Sequence, residues 1–453
     1  MLTIYTQNKF LAEKQYSFNI LLTHLLGIEF SIDFHEKPEY RLELSEKKSI
    51  IFADAFWSRL SENEQYFNTK NIPKSIQTFS SPNNSYDLIS IFQNQEITYS
   101  ENDKTTKIPV DLFASAFFML SRWEEFAIKT RDKFGRFPDY QSLAQRENFH
   151  HRPVVNEYAE FLWEELKKTG CRQTKKTWQY SLKLTHDIDF GFRYDTPKKR
   201  LKALAGDILK RHSIKQFFNT LSDIKAIKQK IIKDTYDTFD FLMDIAEENN
   251  LKAHFYFIAG KQGETDIQYN IDDTNITATI DNIKKRQHHI GIHGSWDSFD
   301  NSTQLKIEKR RLQDIINEPI TENRQHFLRF SVPQTWQTLE NLEIKKDSTM
   351  GYSNATGFRC GICHPFPVFN ILTQETLNLI EYPLIIMDTA AQRETKTPEL
   401  FEQKIIEIAN VAKLFNGTLT LLWHPNNFYT IEWNVFARNY RSLIKTLATP
   451  HKS

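Results

Sequence analysis

Two kinds of hydrophobic pattern divide the chain. In the first sixty residues helical and strand-like periods mix: Leu21, Leu22, Leu25 and Leu26 share one helical stripe, whereas residues 40–44 alternate with period two and residues 49–53 form a short apolar run. Residues 61–108 are polar, punctuated by Pro73 and Pro82, and predict loops and short strands. Apolar positions then return at helical spacing over residues 111–128, with Asp111 placed to cap them, and over residues 156–168, ending at Gly170. The polar stretch 171–176 marks a boundary, and the chain is expected to divide into residues 1–175 and 176–453.

Beyond the boundary short strand-like runs alternate with helical ones. Strands are predicted near 181–185, 254–258, 289–293, 325–329, 384–387 and 419–423, with Lys-rich helices over 197–249 and further helices near 276–286 and 303–316. This order implies βαβ units and a parallel sheet, and about seven such units suggest a barrel. The expected fold is α/β: a distorted (β/α)7 barrel preceded by a smaller N-terminal α/β domain. In barrels of this kind reactive side chains stand at the C-terminal ends of the strands.

Composition adds limits. The 453 residues suit two domains, and 40% apolar content can bury a sizeable core. A formal net charge of +1 argues against a dedicated nucleic-acid binder, although it leaves room for a local basic patch. No run approaches the ~18 apolar residues of a membrane span, and no basic start precedes an apolar stretch, so a cytoplasmic protein without an integral membrane segment is expected. Cys171, Cys360 and Cys363 are too few for a disulfide framework. Cys360-Gly361-Ile362-Cys363-His364 has the spacing of a haem attachment motif, but free thiols are expected.

Three strand ends carry candidate chemistry. Thr185-His186-Asp187-Ile188-Asp189 ends in carboxylates at i and i+2, which an extended chain points to one side. Two such groups repel unless a cation or proton separates them; one can ligate a metal while the other takes a proton from water. A polar turn that caps the next helix uses the same residues. His293, in His289-Ile290-Gly291-Ile292-His293-Gly294, ends a second strand, with Asp297 four residues on and Ser298 next. Imidazole is the commonest ligand for zinc-like metals, yet a lone His is more often structural. His424 follows the apolar run 419–423, a place where burial and a nearby carboxylate can tune a general acid or where a core-edge His simply bonds to backbone. Arg359, between Gly357 and Gly361, is a candidate to orient an acidic catalytic residue, although structural ion pairing is the commoner role.

In this order the three segments resemble the polysaccharide deacetylase superfamily (NodB-homology, carbohydrate esterase family 4) over about residues 178–445. Leu120-Ser121-Arg122-Trp123-Glu124-Glu125, Gly135-Arg136-Phe137, Asp347-Ser348-Thr349-Met350-Gly351-Tyr352 and Gly357-Phe358-Arg359 resemble a bacterial subgroup with an extra N-terminal domain. The resemblance implies a divalent metal, most often Zn2+, and hydrolysis of an N-acetyl group on an amino-sugar polymer, glycolipid or sugar precursor. It assigns Asp187 as general base, His424 as general acid, and Asp189 and His293 as metal ligands. The chain departs from the family at two site positions, and the usual Arg-Pro-Pro segment is absent as such. Ile188 separates the two Asp residues, and Asp297 stands where most members carry a second metal His. Asp297 is the expected third ligand, with His326 or Ser298 as alternatives. Two other functions fit the same residues: hydrolysis of a different C–N bond, or carbohydrate binding on a barrel that has lost catalysis.

Overall fold

The computed structural model describes residues 2–44, 48–61, 64–80, 87–94, 99–102, 104–261, 266–430 and 432–450. Pro82 and parts of the polar stretch 61–108 lie outside the described residues. The N-terminal part builds a mixed six-stranded sheet with the spatial order 30–34, 2–6, 39–43, 49–53, 105–108 and 100–101. Period-two alternation decides which side faces inward: Tyr40 and Leu42 are buried, and their neighbours are half-exposed. The helix Leu112–Ser121 covers this sheet, and its Asp111 cap accepts a hydrogen bond from the Ala114 N–H at 2.9 Å. The helix ends earlier than its apolar pattern does, because Arg122 adopts φ 53° and redirects the chain into Trp123–Ala127.

The second sheet has nine strands, here β1 (Ser181–Ile188), β2 (His254–Phe257), β3 (His289–Gly294), β4 (Glu322–Gln325), β5 (Lys346–Asp347), β6 (Phe366–Asn370), β7 (Glu375–Glu381), β8 (Leu384–Met387) and β9 (Thr418–Leu422). Their spatial order is β6-β7-β5-β4-β3-β2-β1-β9-β8; every pairing is parallel except β6 with β7. The two edge strands, β6 and β8, are not paired with each other among the described residues. The sheet therefore differs from a simple sevenfold ring: it has eight parallel strands, an antiparallel flap and an open seam. It is nevertheless strongly curled. Lys183 on β1 and Glu322 on β4 touch at 3.1 Å, although three inter-strand spacings would hold them roughly 14 Å apart in a flat sheet.

The N-terminal part is not a loosely tethered appendage. One hydrophobic cluster runs through both sheets. Phe369 on β6 packs against Tyr16 and Phe117, with ring centroids 5.0 and 5.4 Å away, and the Tyr16 hydroxyl donates to the Pro367 carbonyl at 2.9 Å. A buried ion pair adds to this seam: Arg359 donates to both carboxylate oxygens of Glu125, at 2.9 Å from Nε to Oε1 and 2.5 Å from Nη2 to Oε2. Arg122 donates to the same carboxylate, and together the two guanidiniums overcome burial and hold the Glu125 pKa at about 2.

Candidate active site

The curl brings the C-terminal ends of β1, β3, β4 and β9 around one cleft of about 320 Å³. Strand alternation on β1 sorts its last residues. His186 points away from the cleft, packs tilted against Phe255 and donates from Nδ1 to the Trp423 carbonyl at 2.7 Å. Asp187 and Asp189 point into the cleft.

Asp189 is the focus. Its Oδ1 lies 3.3 Å from Nε2 of His293 and 3.4 Å from Nε2 of His326, and its Oδ2 lies 3.7 Å from Nε2 of His424. All three imidazoles are held by the opposite nitrogen. His293 Nδ1 bonds to the Arg324 carbonyl at 2.8 Å, which makes Nδ1 the protonated donor. His326 Nδ1 pairs with the Asp266 carboxylate. His424 Nδ1 bonds to Asp388 Oδ1 at 2.7 Å, while Asp388 Oδ2 accepts from the His424 N–H at 2.9 Å and from Asn427 Nδ2 at 2.8 Å. Each ring thus presents Nε2 to the same carboxylate, the arrangement in which outer partners fix the tautomer of a metal-binding or acid–base histidine.

Electrostatics follow from this crowding. Burial alone would raise the Asp189 pKa, but His326, His293 and His424 outweigh it and hold the carboxylate well below its usual range. Burial lowers the basicity of His424, yet Asp388, then Asp189 and Asp187, push its pKa up to about 10.

Asp187 sits beside this group, with Oδ2 3.7 Å from His293 Nε2. Its other oxygen is held by Arg324, whose Nη1 donates to Asp187 Oδ1 at 3.1 Å and to the Thr185 hydroxyl at 2.8 Å. Arg324 is fully buried and anchored by the Ser348 carbonyl and hydroxyl, both at 2.7 Å. Arg359, expected to orient an acidic residue, is committed to Glu125 and the Gly351 carbonyl, and the guanidinium against Asp187 is Arg324.

The cluster that could hold a metal does not include the expected Asp297. Asp189, His293 and His326 offer atoms that all lie within 4.8 Å of one another, and Asp297 is not part of that group. Asp297 lies in the short turn Trp296–Ser298, where its charge acts on Arg329, and Ser298 donates to the Ser295 carbonyl at 2.9 Å. The chain does not continue as an α-helix from His293, so the i, i+4 spacing never closes on one face. His326 arrives instead from β4. The turn that carries it, His326–Leu328, holds Phe327 and Leu328 at φ 59° and 54°, a left-handed backbone costly for non-glycine residues.

The N-terminal part braces that turn. Phe134 stacks on Phe327 with centroids 5.2 Å apart, and Arg136 Nη1 donates to the Phe327 carbonyl at 3.0 Å. Arg329 Nε donates back to the Phe134 carbonyl at 2.9 Å. Arg136 is itself part of the cleft wall. Asp266, Arg324 and Asp388 were invisible as site residues in the sequence, since their partners come from other strands. The only local signal was the position of Asp388 directly after the strand β8. Cys360 and Cys363 are buried free thiols away from the cleft, and burial pushes both pKa values up.

Comparison with known proteins adds two findings. Residues 2–170 match a family of unknown function (DUF7033). Solved structures align with about 60% of the chain at low identity. One, described as a polysaccharide deacetylase from Mycobacterium smegmatis, is 14% identical with a TM-score of 0.39, covering 60% of this chain and 85% of its own. The chitin deacetylase from Colletotrichum lindemuthianum is 12% identical with a TM-score of 0.33, covering 60% and 85%. A family 4 carbohydrate esterase pseudoenzyme from Bacillus anthracis is 8% identical with a TM-score of 0.30, covering 59% and 60%. No curated protein matches the chain.

Proposed function

We propose that this protein is a metal-dependent hydrolase that removes N-acetyl groups from an amino-sugar substrate. The observation that carries the reading is the convergence of three Nδ1-anchored imidazoles on Asp189, whose buried Oδ1 has no hydrogen-bond partner. A buried carboxylate oxygen left unpaired costs free energy unless a cation meets it. Asp189 Oδ1, His293 Nε2 and His326 Nε2 form the one-oxygen, two-nitrogen donor set that suits Zn2+ with a position left open. When bound, such a metal supplies a Lewis acid and lowers the pKa of water at the site.

The chain's own groups supply the proton transfers. Asp187, with Oδ1 tied to Arg324, uses Oδ2 as the base that takes a proton from the attacking water. His424 is the acid: Asp388 holds its Nδ1–H and stabilises the imidazolium, so Nε2 carries the proton to the departing amine nitrogen. The Asp388 carboxylate facing His424 favours its protonated form, as the acid role requires. Phe190, Leu328, Met387 and Leu422 give the cleft apolar walls beside these polar groups, as expected for a sugar ring and its acetyl methyl.

Two measurements test this. Zinc-loaded protein should release acetate from N-acetylglucosamine oligomers or an N-acetylated glycolipid, and Asp187→Asn should lower the rate on the order of 100-fold or more while keeping the metal. Full activity in Asp187→Asn, or release of acetate without any bound metal, would sink the proposal.

A further inference from the structure

The excursion between β1 and β2 contains a helical hairpin, α1 (Pro197–Leu209) and α2 (Ile214–Lys228), that the catalytic reading does not use. Residues 197–233 hold eleven Lys or Arg against two Asp, a net of +9 in a chain whose total is +1. They also hold eight of the eighteen exposed large hydrophobic residues among the described residues, so the apolar exposure is concentrated there rather than scattered. At the hairpin tip Leu209, Ile214 and Phe218 are 72%, 69% and 63% exposed. Within the two helices only Asp207, Thr220 and Ile224 are buried. The hairpin thus contributes little to the core, and its apolar side chains face solvent among exposed Lys198, Lys202, Lys210, Lys215, Lys225 and Lys228.

Exposed apolar side chains at the tip of a strongly basic helical pair are the signature of a surface that lies in a lipid interface, with the side chains among the acyl chains and the cations on anionic headgroups. We propose that this hairpin docks the protein on an anionic phospholipid bilayer. Charge selects this occupant. A second copy would bring +9 against +9, and a nucleic acid would satisfy the lysines but leave Leu209, Ile214 and Phe218 in water. The docking is peripheral, since no described helix is long and apolar enough to cross a membrane. It also has a consequence for access. Phe190 and Gln268 line both the active-site cleft and a second cleft of about 430 Å³ beneath α1, so the hairpin adjoins the mouth of the site. Docking by the hairpin brings the cleft close to the bilayer surface.

The test is co-sedimentation of the full chain with vesicles of phosphatidylcholine alone or mixed with phosphatidylglycerol. Binding to the anionic vesicles is expected, with little to phosphatidylcholine alone. It should fall steeply between about 0.1 M and about 1 M salt, as the screening length shrinks from ~10 to ~3 Å. Leu209→Asp with Phe218→Asp should abolish it, and Lys198→Gln with Lys202→Gln and Lys210→Gln should weaken it on the order of tenfold or more. The metal content of these variants reports an intact fold, because none of the residues touches the ligand group. Absence of vesicle binding, or equal binding by wild type and the double Asp variant, overturns the proposal. So does self-association or nucleic-acid binding that the wild type shows while vesicle binding is missing. The measurement needs no turnover, so its outcome is separate from that of the deacetylase reading.

Discussion

The two ends of the curled sheet carry nearly the same side chains and solve opposite problems. At the N-terminal ends of the strands His254, His289 and Glu322 bring potential ligand atoms within 4.8 Å of one another, just as Asp189, His293 and His326 do at the C-terminal ends. At the lower end, however, the cation is already present. Lys183 lies 3.1 Å from Glu322 Oε2 and 2.9 Å from His254 Nδ1, Lys346 lies 3.0 Å from Glu322 Oε1, and Tyr256 donates to Oε2 at 3.3 Å. The rings of His254 and His289 stack nearly parallel at 4.3 Å, so their in-plane lone pairs do not converge on one point. At the upper end three imidazoles converge on one carboxylate, and Asp189 Oδ1 meets two Nε2 atoms at 3.3 and 3.4 Å without a well-formed hydrogen bond. Ligand-type residues in a cluster are therefore insufficient; the deciding feature is whether the protein supplies its own compensating charge.

The strand faces show how this was built. Lys183, Asp187 and Asp189 project from one face of β1, and Glu322, Arg324 and His326 answer them from β4 and its end. Lysine meets glutamate at the bottom and aspartate meets arginine in the middle. At the top, aspartate meets histidines, which carry a compensating charge only when protonated.

The largest test of this contrast is metal content. Asp189→Ala and His326→Ala should each lose the roughly one equivalent of zinc expected for a single site, whereas Glu322→Gln should keep it, as read by elemental analysis after gel filtration. Metal lost only from the Glu322 variant would reverse the comparison. Next in size, Asp388→Asn should reduce acetate release on the order of 100-fold with zinc retained, because His424 loses the group that fixes its Nδ1–H; unchanged kcat would remove His424 from the acid role. Lys183→Met should cost about 3–5 kcal/mol of stability by leaving Glu322 buried with too little positive charge, measured by urea denaturation.

A smaller effect tests compensation at the seam between the sheets. Glu125 titrates at about 2 in the folded protein, below its ordinary 4.5, so the unfolded chain binds its proton more readily. Its contribution is full above about pH 4.5 and is lost as pH falls toward about 2, worth about 3 kcal/mol near neutrality. Glu125→Gln should therefore destabilise by about that amount near pH 7 and by clearly less at about pH 3; an equal difference at both would break the account. The smallest effect is expected for Asp297→Ala, which should change zinc affinity less than about tenfold, well short of the loss of a direct ligand. Isothermal titration checks this.

Legibility followed chain distance. The pair Asp187 and Asp189 was readable because period two places i and i+2 on one side, and His293 and His424 because each directly follows an apolar run. Asp297, expected as a ligand from its place four residues after His293, lies in a short turn outside the cluster of Asp189, His293 and His326. Asp266 had no local mark, Asp388 only its place directly after a strand, and Arg324 looked like any charged residue on a strand. Strands 366–370 and 375–381 were not anticipated either, since the antiparallel flap interrupts the strand–helix rhythm.

By itself the sequence determined the alternation of strands and helices, the inward face of each strand, the carboxylate pair at a strand end and the Lys-rich helices that follow. Each depends on residues a few positions apart, where backbone geometry fixes which side chains share a side. Only the tertiary structure decided that His326 joins Asp189 and His293, that Arg324 faces Asp187 and that Asp388 holds His424. Those choices depend on a sheet that curls until residues more than a hundred positions apart touch. At that range charge compensation, not spacing, selects the partners.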